Sequence, residues 1–259
     1  SAVSFTLTGG AGADIITGST GADIITGAGA VDTIDGGGAV DTITGGAGND
    51  IITGGAGNDI ITGGSGNDTI NVDAGTDTIN DLTTGDILVI SENATASATV
   101  AVAFTATSGT VNHANNAVTK AVLATDTDGA TINITLASGA FTLTGGDGVD
   151  IITGGSGADT INAGAGADII AIGTAGHGNS DTIDGGDDAD VLQLSTGAHA
   201  FADNNKLKNV ETVKTHSSGS EVSLANQTEA FAITGGDGVD IITGGDGVDT
   251  IAGGDGIDT

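Results

Sequence analysis

Hydrophobic and polar positions recur every nine residues over most of the chain. The unit reads Gly-Gly-x-Gly-x-Asp-x-Ile-x, and Gly45 to Thr53 is a clear example. Six turn residues precede three residues whose middle member is a β-branched Ile, which predicts one short strand per unit with position eight pointing inward. Glycines at positions one, two and four allow the positive φ angles and close backbone contacts of a tight turn.

These units form three arrays: eight from Gly9 to Asn80, five from Gly145 to Gln193, and three from Gly235. One unit cannot bury its own Ile, whereas two units can form a coil of 18 residues whose strands lie on opposite walls. Stacked coils then bring the Ile columns of the two walls together, with parallel strands about 4.8 Å apart. We therefore predict an all-β fold, a parallel β-roll or β-solenoid with β-rich connecting segments.

The regions between the arrays lack the glycine-rich unit but keep β alternation, as in Thr131 to Leu136. We predict β-rich connectors there, and for 91–144 a continuation of the solenoid is the alternative. Because the third array stops inside a unit, we expect either that more protein follows Thr259 or that proteolysis has trimmed the chain there. The predicted segments are a first roll in 1–90 with its nonapeptides in 9–80, a connector in 91–144, a second roll in 145–193, a connector in 194–234, and a truncated third roll in 235–259.

Composition narrows the classes of function. The chain has 34 Asp and Glu against four basic residues, for a net charge of −30, which excludes nucleic-acid binding because phosphate contacts need a basic surface. It has no Cys, so disulfides and thiolate metal sites are ruled out. No apolar run approaches the roughly 20 residues of a membrane helix, and we expect no membrane insertion.

Position six carries the candidate chemistry, since it is Asp in all 16 units. Two carboxylates about 5 Å apart on one edge of a stack repel each other, by several kcal/mol where water is excluded, and no regular unit contains a basic residue. The predicted metal ligands are Asp14, Asp23, Asp32, Asp41, Asp50, Asp59, Asp68, Asp77, Asp150, Asp159, Asp168, Asp181, Asp190, Asp240, Asp249 and Asp258.

The donor set favours calcium. Turn carbonyls and carboxylates from two stacked turns provide an all-oxygen cage, which suits Ca²⁺ better than the stricter octahedron of Mg²⁺. A preference of Asp for turns is the simpler explanation, but it would admit Asn or Ser at position six, and neither occurs there. The acids at position three are weaker candidates for side-chain ligands; they are Asp147, Asp187, Asp237, Asp246 and Asp255.

The nonapeptide resembles the calcium-binding repeat of RTX (repeats-in-toxin) proteins almost residue for residue. That resemblance implies a right-handed parallel β-roll, folding driven by several Ca²⁺ ions, and export by type I secretion to the outside of a bacterial cell or its surface. Three places depart from the pattern: Ala28 at position two, Val72-Asp73 at the start of the eighth unit, and an insertion around His177. We expect altered sites there.

Rolls and connectors leave no room for a catalytic domain, so we expect no enzyme activity. The segment Asn209 to Val213 looks like connectors of bacterial surface-layer (S-layer) proteins and large surface adhesins. Our leading hypothesis is a calcium-binding extracellular structural protein that self-associates as part of a surface layer or similar assembly, with cell-surface polysaccharide as a further candidate partner. The alternatives are repeat modules of a giant type I-secreted adhesin, or the RTX tail of a secreted enzyme. Ice binding through outward Thr is disfavoured because Ile and Thr share position seven.

Three further expectations concern single residue types. Phe5, Phe141 and Phe231 each precede a Gly-Gly that opens an array, which suggests that Phe plugs the end of each roll. The four His residues share no metal-ligand spacing and are expected on the surface or in loops. Ile recurs at outward position seven and indicates lateral packing; the residues are Ile15, Ile24, Ile51, Ile60, Ile151, Ile169 and Ile241.

Overall fold

The computed structural model describes residues 2–91, 94–100, 103–106, 110–112, 121–125, 131–137, 139–172, 180–201 and 203–259. These residues form parallel β-solenoid coils, as predicted, and they include no helix with the length and hydropathy of a membrane span. The insertion around His177 lies outside the described residues. The chain divides into two compact units: the first comprises Ser1–Ala124 and Leu136–Phe141, and the second comprises Thr125–Thr135 and Thr142–Thr259.

The first unit is a two-walled stack. One wall has the strand order β1-β3-β5-β7-β9-β11-β14, and the other has β2-β4-β6-β8-β10-β13. The strands are β1 (Thr6–Gly10), β2 (Ile15–Ser19), β3 (Ile24–Gly29), β4 (Thr33–Gly37), β5 (Thr42–Ala47), β6 (Ile51–Thr53), β7 (Ile60–Ser65), β8 (Thr69–Val72), β9 (Gly75–Leu82), β10 (Ile87–Ile90), β11 (Ala94–Val100), β12 (Ala103–Thr105), β13 (Val111–Asn112) and β14 (Ala121–Thr125).

Register confirms the 18-residue coil. Ile25 pairs with Ile43 and Ile43 with Ile61, each one coil further along a single wall. In the first array, Ile at position eight is buried in every nonapeptide from Ile25 to Ile79, and burial of each side chain contributes about 1.5–3 kcal/mol. The core is therefore a narrow double column of Ile. Parallel pairing carries the stack past the nonapeptides, since β10 pairs with β8 and β11 pairs with β9.

The second unit is built in the same way, with coils of changing length. Its sheets have the orders β15-β17-β19-β21-β24-β26-β28, β16-β18-β20-β23 and β22-β25-β27. The strands are β15 (Thr131–Asn133), β16 (Thr142–Thr144), β17 (Ile151–Thr153), β18 (Thr160–Ala165), β19 (Ile169–Ile172), β20 (Thr182–Asp187), β21 (Val191–Leu194), β22 (Gly197–Ala200), β23 (Leu207–Lys208), β24 (Thr212–Lys214), β25 (Ser220–Ser223), β26 (Ala232–Thr234), β27 (Ile241–Thr243) and β28 (Thr250–Ala252).

Residues 194–234 continue the solenoid of the second unit. Leu192 pairs with Val213, Val213 with Ile233, and Ile233 with Ile251, all in parallel. Val213 and Ile233 are buried at the place of the nonapeptide Ile, although the surrounding turns do not follow its sequence. The stack therefore depends on an inward apolar residue in each strand, and the turns between strands can vary.

Phe does not form a plug at each roll. Phe231 is buried just before β26, and β26 pairs with β24 on one side and β28 on the other, so Phe231 lies inside the stack and not at its end. Phe5 is 46% exposed. Both residues stand one residue before a strand, which is the place of position six. Phe thus occupies the Asp position in the unit before an array, and this position was missed in the sequence pattern because that unit lacks glycines.

Candidate metal centre

The 16 predicted Asp residues lie where each turn enters its strand. Thirteen are buried although they are acids, and Asp14, Asp249 and Asp258 are half-buried. A buried carboxylate is costly unless it is hydrogen-bonded or paired with a cation. The partners of its two oxygens therefore decide what each site can do.

Oδ1 of most of these carboxylates links consecutive coils. The backbone N–H of one Asp donates to Oδ1 of the Asp in the next coil, as from Asp41 to Asp59 and from Asp50 to Asp68, both at 2.8 Å. Eleven such Asp-to-Asp bonds span 2.7–3.0 Å. In the array of the first unit, the Asp carbonyl oxygen also accepts a hydrogen bond from the next coil. Thr42 N, for example, donates to Asp23 O at 2.9 Å. One residue type thus holds successive coils in register.

Oδ2 occurs in two environments. In five Asp residues it accepts the N–H of the second residue of its own turn, as from Gly146 to Asp150 at 2.8 Å; the five are Asp23, Asp150, Asp159, Asp240 and Asp249. In ten others the atom is buried and accepts no hydrogen bond; they are Asp14, Asp32, Asp41, Asp50, Asp59, Asp68, Asp77, Asp168, Asp181 and Asp190. Such an anionic oxygen calls for a cation.

These Oδ2 atoms converge with carbonyl oxygens at position one. A β-carbon placed on Gly45 would lie 2.5 Å from Asp50 Oδ2 and 2.5 Å from Gly63 O, which belongs to the next coil. Gly9 shows the same arrangement with Asp14 Oδ2 at 2.5 Å and Gly27 O at 2.6 Å. Glycine at position one is therefore required by the space into which a carboxylate and a stacked carbonyl both point.

At one point two carboxylates share this space. A β-carbon on Gly54 would lie 2.7 Å from Asp59 Oδ2 and 3.2 Å from Asp77 Oδ2. The repulsion between two such anions rises as solvent is excluded. A divalent cation between them would remove it.

Burial and neighbouring carboxylates shift the pKa values of these Asp residues. Burial raises the pKa of Asp41 to about 6, and the neighbouring carboxylates of Asp59 and Asp23 add to the effect against a hydrogen bond that lowers it. Burial raises the pKa of Asp181 most, to about 7, although Lys206 nearby works in the opposite direction. Asp23 shows the contrary case: burial favours its neutral form, but hydrogen bonds from Ser19 and Phe5 outweigh burial and lower its pKa.

The residues fit calcium. Hard carboxylate and carbonyl oxygens in stacked turns are the donors that Ca²⁺ prefers. Over the described residues, no three His, Asp or Glu side chains converge into a metal cluster, and the other oxygens beside Oδ2 in these turns are backbone carbonyls. The position-six Asp residues with unpartnered Oδ2 atoms and the position-one carbonyls would hold the ion, which supplies positive charge between coils when bound.

Two carboxylates outside the predicted set extend the ladders, that is, the series of hydrogen bonds from the N–H of one position-six residue to the carboxylate of the next coil. Asp68 N donates to Asp86 Oδ1 at 2.9 Å, and Asp190 N donates to Glu211 Oε2 at 2.8 Å. Asp86 could have been found, because it follows Asp77 by nine residues. Glu211 could not, because its turn is too short for the nine-residue period.

Phe and Ala departures are accommodated by the backbone. Phe5 N donates to Asp23 Oδ1 at 2.6 Å and Phe231 N to Asp249 Oδ1 at 3.0 Å, so Phe begins a ladder without adding a carboxylate. Ala28, at position two, takes a left-handed φ of 91° and keeps the turn shape.

Of the four histidines, the structure describes two, and neither is a partner of the Asp carboxylates in the bonds given above. His216 is half-buried, while His113 and His177 lie outside the described residues. His199 differs from the expectation of a surface or loop residue, because it lies buried in β22 with Nε2 at 3.0 Å from Ser195 O.

Stacked acidic turns over a double column of Ile define a β-roll repeat protein with cation-binding edges. The sequence model of the RTX calcium-binding nonapeptide repeat, which spans four copies, matches residues 8–43, 44–79, 142–171, 175–198 and 232–259. Since these matches cover more than half of the chain, the chain belongs to this family. It is a calcium-binding structural repeat protein with several Ca²⁺ sites, and RTX repeats typically occur in secreted proteins. A search of curated proteins found no match to the chain.

Proposed function

We propose that the protein is an extracellular structural segment of a bacterial surface layer or a similar calcium-dependent assembly, and that it is not an enzyme. The observation that supports this proposal is the contrast between the acidic turn edges and the nearly uncharged walls of the first unit. In a chain of net charge −30, the outward face of the wall β1-β3-β5-β7-β9 presents no charge. Its two residue columns are Thr6, Ile24, Thr42, Ile60 and Thr78 at position seven, and Thr8, Thr26, Thr44, Thr62 and Asn80 at position nine.

The opposite wall of the first unit is similar. Ile15 is 87% exposed and Ile51 is 45% exposed in one column, and in the array Asp35 is the single charged residue that faces outward from β2, β4, β6 and β8. Exposed Ile occurs singly on most proteins, but here Ile recurs in register on every second coil, with Thr between, which produces an uncharged column. Of the seven predicted outward Ile residues, six are exposed and Ile169 is half-buried.

A second copy of the chain is the partner that we infer for these walls. Two copies approaching by their turn edges would bring like charges together, whereas approach by the walls avoids this repulsion. Two columns of about five residues form a small contact, well below the roughly 800 Å² per partner of a stable interface. Weak contacts of this kind suit an array in which each copy has several neighbours.

Calcium supply makes the outside of the cell the suitable compartment. Where calcium is scarce, the acidic ladders favour an open chain, as type I export requires. Outside the cell, each site adds about 2.7 kcal/mol when free calcium reaches 100 times its dissociation constant. The ion then acts as a structural switch, and the repeated, equivalent carboxylates do not provide the distinct acid and base of a hydrolytic site.

Electron microscopy of the chain with and without millimolar calcium tests the proposal. Ordered sheets or filaments that form only with calcium support an assembly subunit. Separate, calcium-folded particles at every protein concentration would contradict it and would favour the modules of an adhesin.

A further inference from the structure

A short turn covers the last regular acidic edge of the second roll. Strands β23 and β24 are joined by Asn209, Val210 and Glu211, three residues where a nonapeptide has six. Register is kept on both walls, because Ile183 pairs with Leu207 and Leu192 with Val213. This turn therefore stacks on the turn from Gly185 to Asp190 and takes the place of the next nonapeptide.

Glu211 has the role of a position-six Asp in this turn. Val191 pairs with Thr212, which places Glu211 opposite Asp190, and Glu211 Oε2 accepts the Asp190 N–H at 2.8 Å. Asn209 Nδ2 donates to Asp184 Oδ1 at 2.7 Å and fixes the other side of the turn. The ladder bond is therefore preserved although the turn has lost three residues.

Asp190 has an anionic oxygen that the protein does not satisfy. The residue is fully buried, and its Oδ2 accepts no hydrogen bond. That atom points to the space over Gly185, where a β-carbon would lie 2.5 Å from it and would collide with Asn209 O. The same pair of a carboxylate and a stacked carbonyl surrounds Gly45, where both turns are nonapeptides.

We propose that the turn Asn209-Val210-Glu211 completes a calcium site on Asp190 that is formed with a segment outside the nonapeptide repeats. Asp190 Oδ2 and Asn209 O provide hard oxygen ligands, and Glu211 places a second negative charge beside them. Residues 209–211 fall between the family matches at 175–198 and 232–259, so the repeat pattern assigns Asp190 as a ligand but assigns no ligand to this turn. The ion would join the second roll to the coil that follows it.

Native mass spectrometry of the full chain in CaCl₂ tests this site, because it counts bound ions one by one. We expect Asp190→Asn to bind one Ca²⁺ fewer than the unsubstituted chain. Asp188→Asn is the matched control: it removes the same charge from an exposed residue of the same turn, and Asn tolerates the left-handed φ of 78° found there. That control should bind the full number.

A second variant covers the case in which Asp190→Asn fails to fold. Glu211→Gln keeps an oxygen that can accept the Asp190 N–H but loses the charge, so one ion should need about tenfold more calcium for half-saturation. Full occupancy in both variants at every calcium concentration would overturn the site. So would the loss of two or more ions from a folded variant, since the site holds one. The result is independent of whether the walls mediate assembly.

Discussion

Asp41 and Asp59 lie one coil apart, and the N–H of the first donates to Oδ1 of the second at 2.8 Å while Oδ2 of each is buried without a hydrogen bond. One oxygen thus serves the protein and the other is left for an ion. This division explains why Asn, which has only one oxygen, is absent from position six.

Removing calcium should unfold the rolls. Ten buried Oδ2 atoms lack a donor, and each unpaired buried anion is costly. We expect the β-sheet circular dichroism signal of the calcium-loaded chain to be largely lost in excess EGTA and restored when calcium is returned. Equal signal and equal melting temperature in both conditions would refute a structural role for the ion.

Asp59→Asn should affect the two states in opposite directions. The amide keeps an acceptor for Asp41 N–H but carries no charge, so the calcium-free chain should gain stability because burial raises the pKa of Asp59. The calcium-loaded chain should lose about 1–3 kcal/mol because a ligand is replaced by an amide nitrogen. Urea unfolding in calcium measures the loss, and the β-sheet circular dichroism signal that remains in EGTA, larger for Asp59→Asn than for the unsubstituted chain, measures the gain. Asp73→Asn, at an exposed acid in the same array, is the control and should change neither by more than about 0.5 kcal/mol.

Ala39→Gly should stabilise the first unit. Ala39 has a left-handed φ of 73°, which costs a residue with a side chain about 1–2 kcal/mol. Part of the gain is offset by the larger unfolded-state entropy of glycine, leaving roughly 0.5–1 kcal/mol. Gly57→Ala should have the reverse effect, because its β-carbon would collide with Ala39 O in the stacked turn. Urea midpoints at saturating calcium compare the two variants. A lower midpoint for Ala39→Gly than for the unsubstituted chain would show that the left-handed φ of Ala39 is not strained.

Acidic solution should stabilise the calcium-free chain. Burial raises the pKa of Asp41, Asp68, Asp77 and Asp190 to about 6 and that of Asp181 to about 7, from an ordinary value of 3.8. The folded chain therefore binds more protons than the unfolded chain between about pH 4 and 7, and this stabilisation is lost as pH rises through 6 to 7. In calcium-depleted buffer we expect a larger β-sheet circular dichroism signal at pH 5 than at pH 7.5. An equal or smaller signal at pH 5 would show that these carboxylates do not control the calcium-free fold.

Ile15→Lys with Ile51→Lys should weaken self-association and leave calcium-induced folding intact. Both side chains face outward from one wall, with Thr33 between them in register. Ala11→Lys with Ala47→Lys is the matched control, since it adds the same charge to exposed turn positions of the same two repeats. Sedimentation velocity in calcium should show smaller species for the Ile variant alone. Equal assembly of both variants would exclude this wall as an interface.

Much of the fold could be predicted because each position of the repeat has one physical task. Ile at position eight had to point inward, and Ile43 and Ile61 lie buried one coil apart as the period requires. The position of Asp in the turn was equally clear. The bond from one Asp N–H to the next Asp Oδ1 was not, because a sequence pattern gives the spacing of residues and not the atoms that meet.

The remaining differences arise where the nine-residue period ends. Glu211 occupies a ladder position after a three-residue turn, so no periodic search reaches it. Phe231 stands at the Asp position of a unit without glycines, and its backbone N–H alone serves the ladder. Both cases follow from the same rule: stacking needs an N–H and an acceptor at each rung, and side-chain identity is secondary.

The number of residues in a coil has little effect on the hydrogen bond between successive position-six Asp residues. Asp159 and Asp181 are 22 residues apart, four more than Asp41 and Asp59, and their bond is again 2.8 Å. Foreign peptides spliced into a turn should therefore be displayed on the flank of the solenoid without disturbing its interior, which makes the scaffold suitable for presenting epitopes under calcium control.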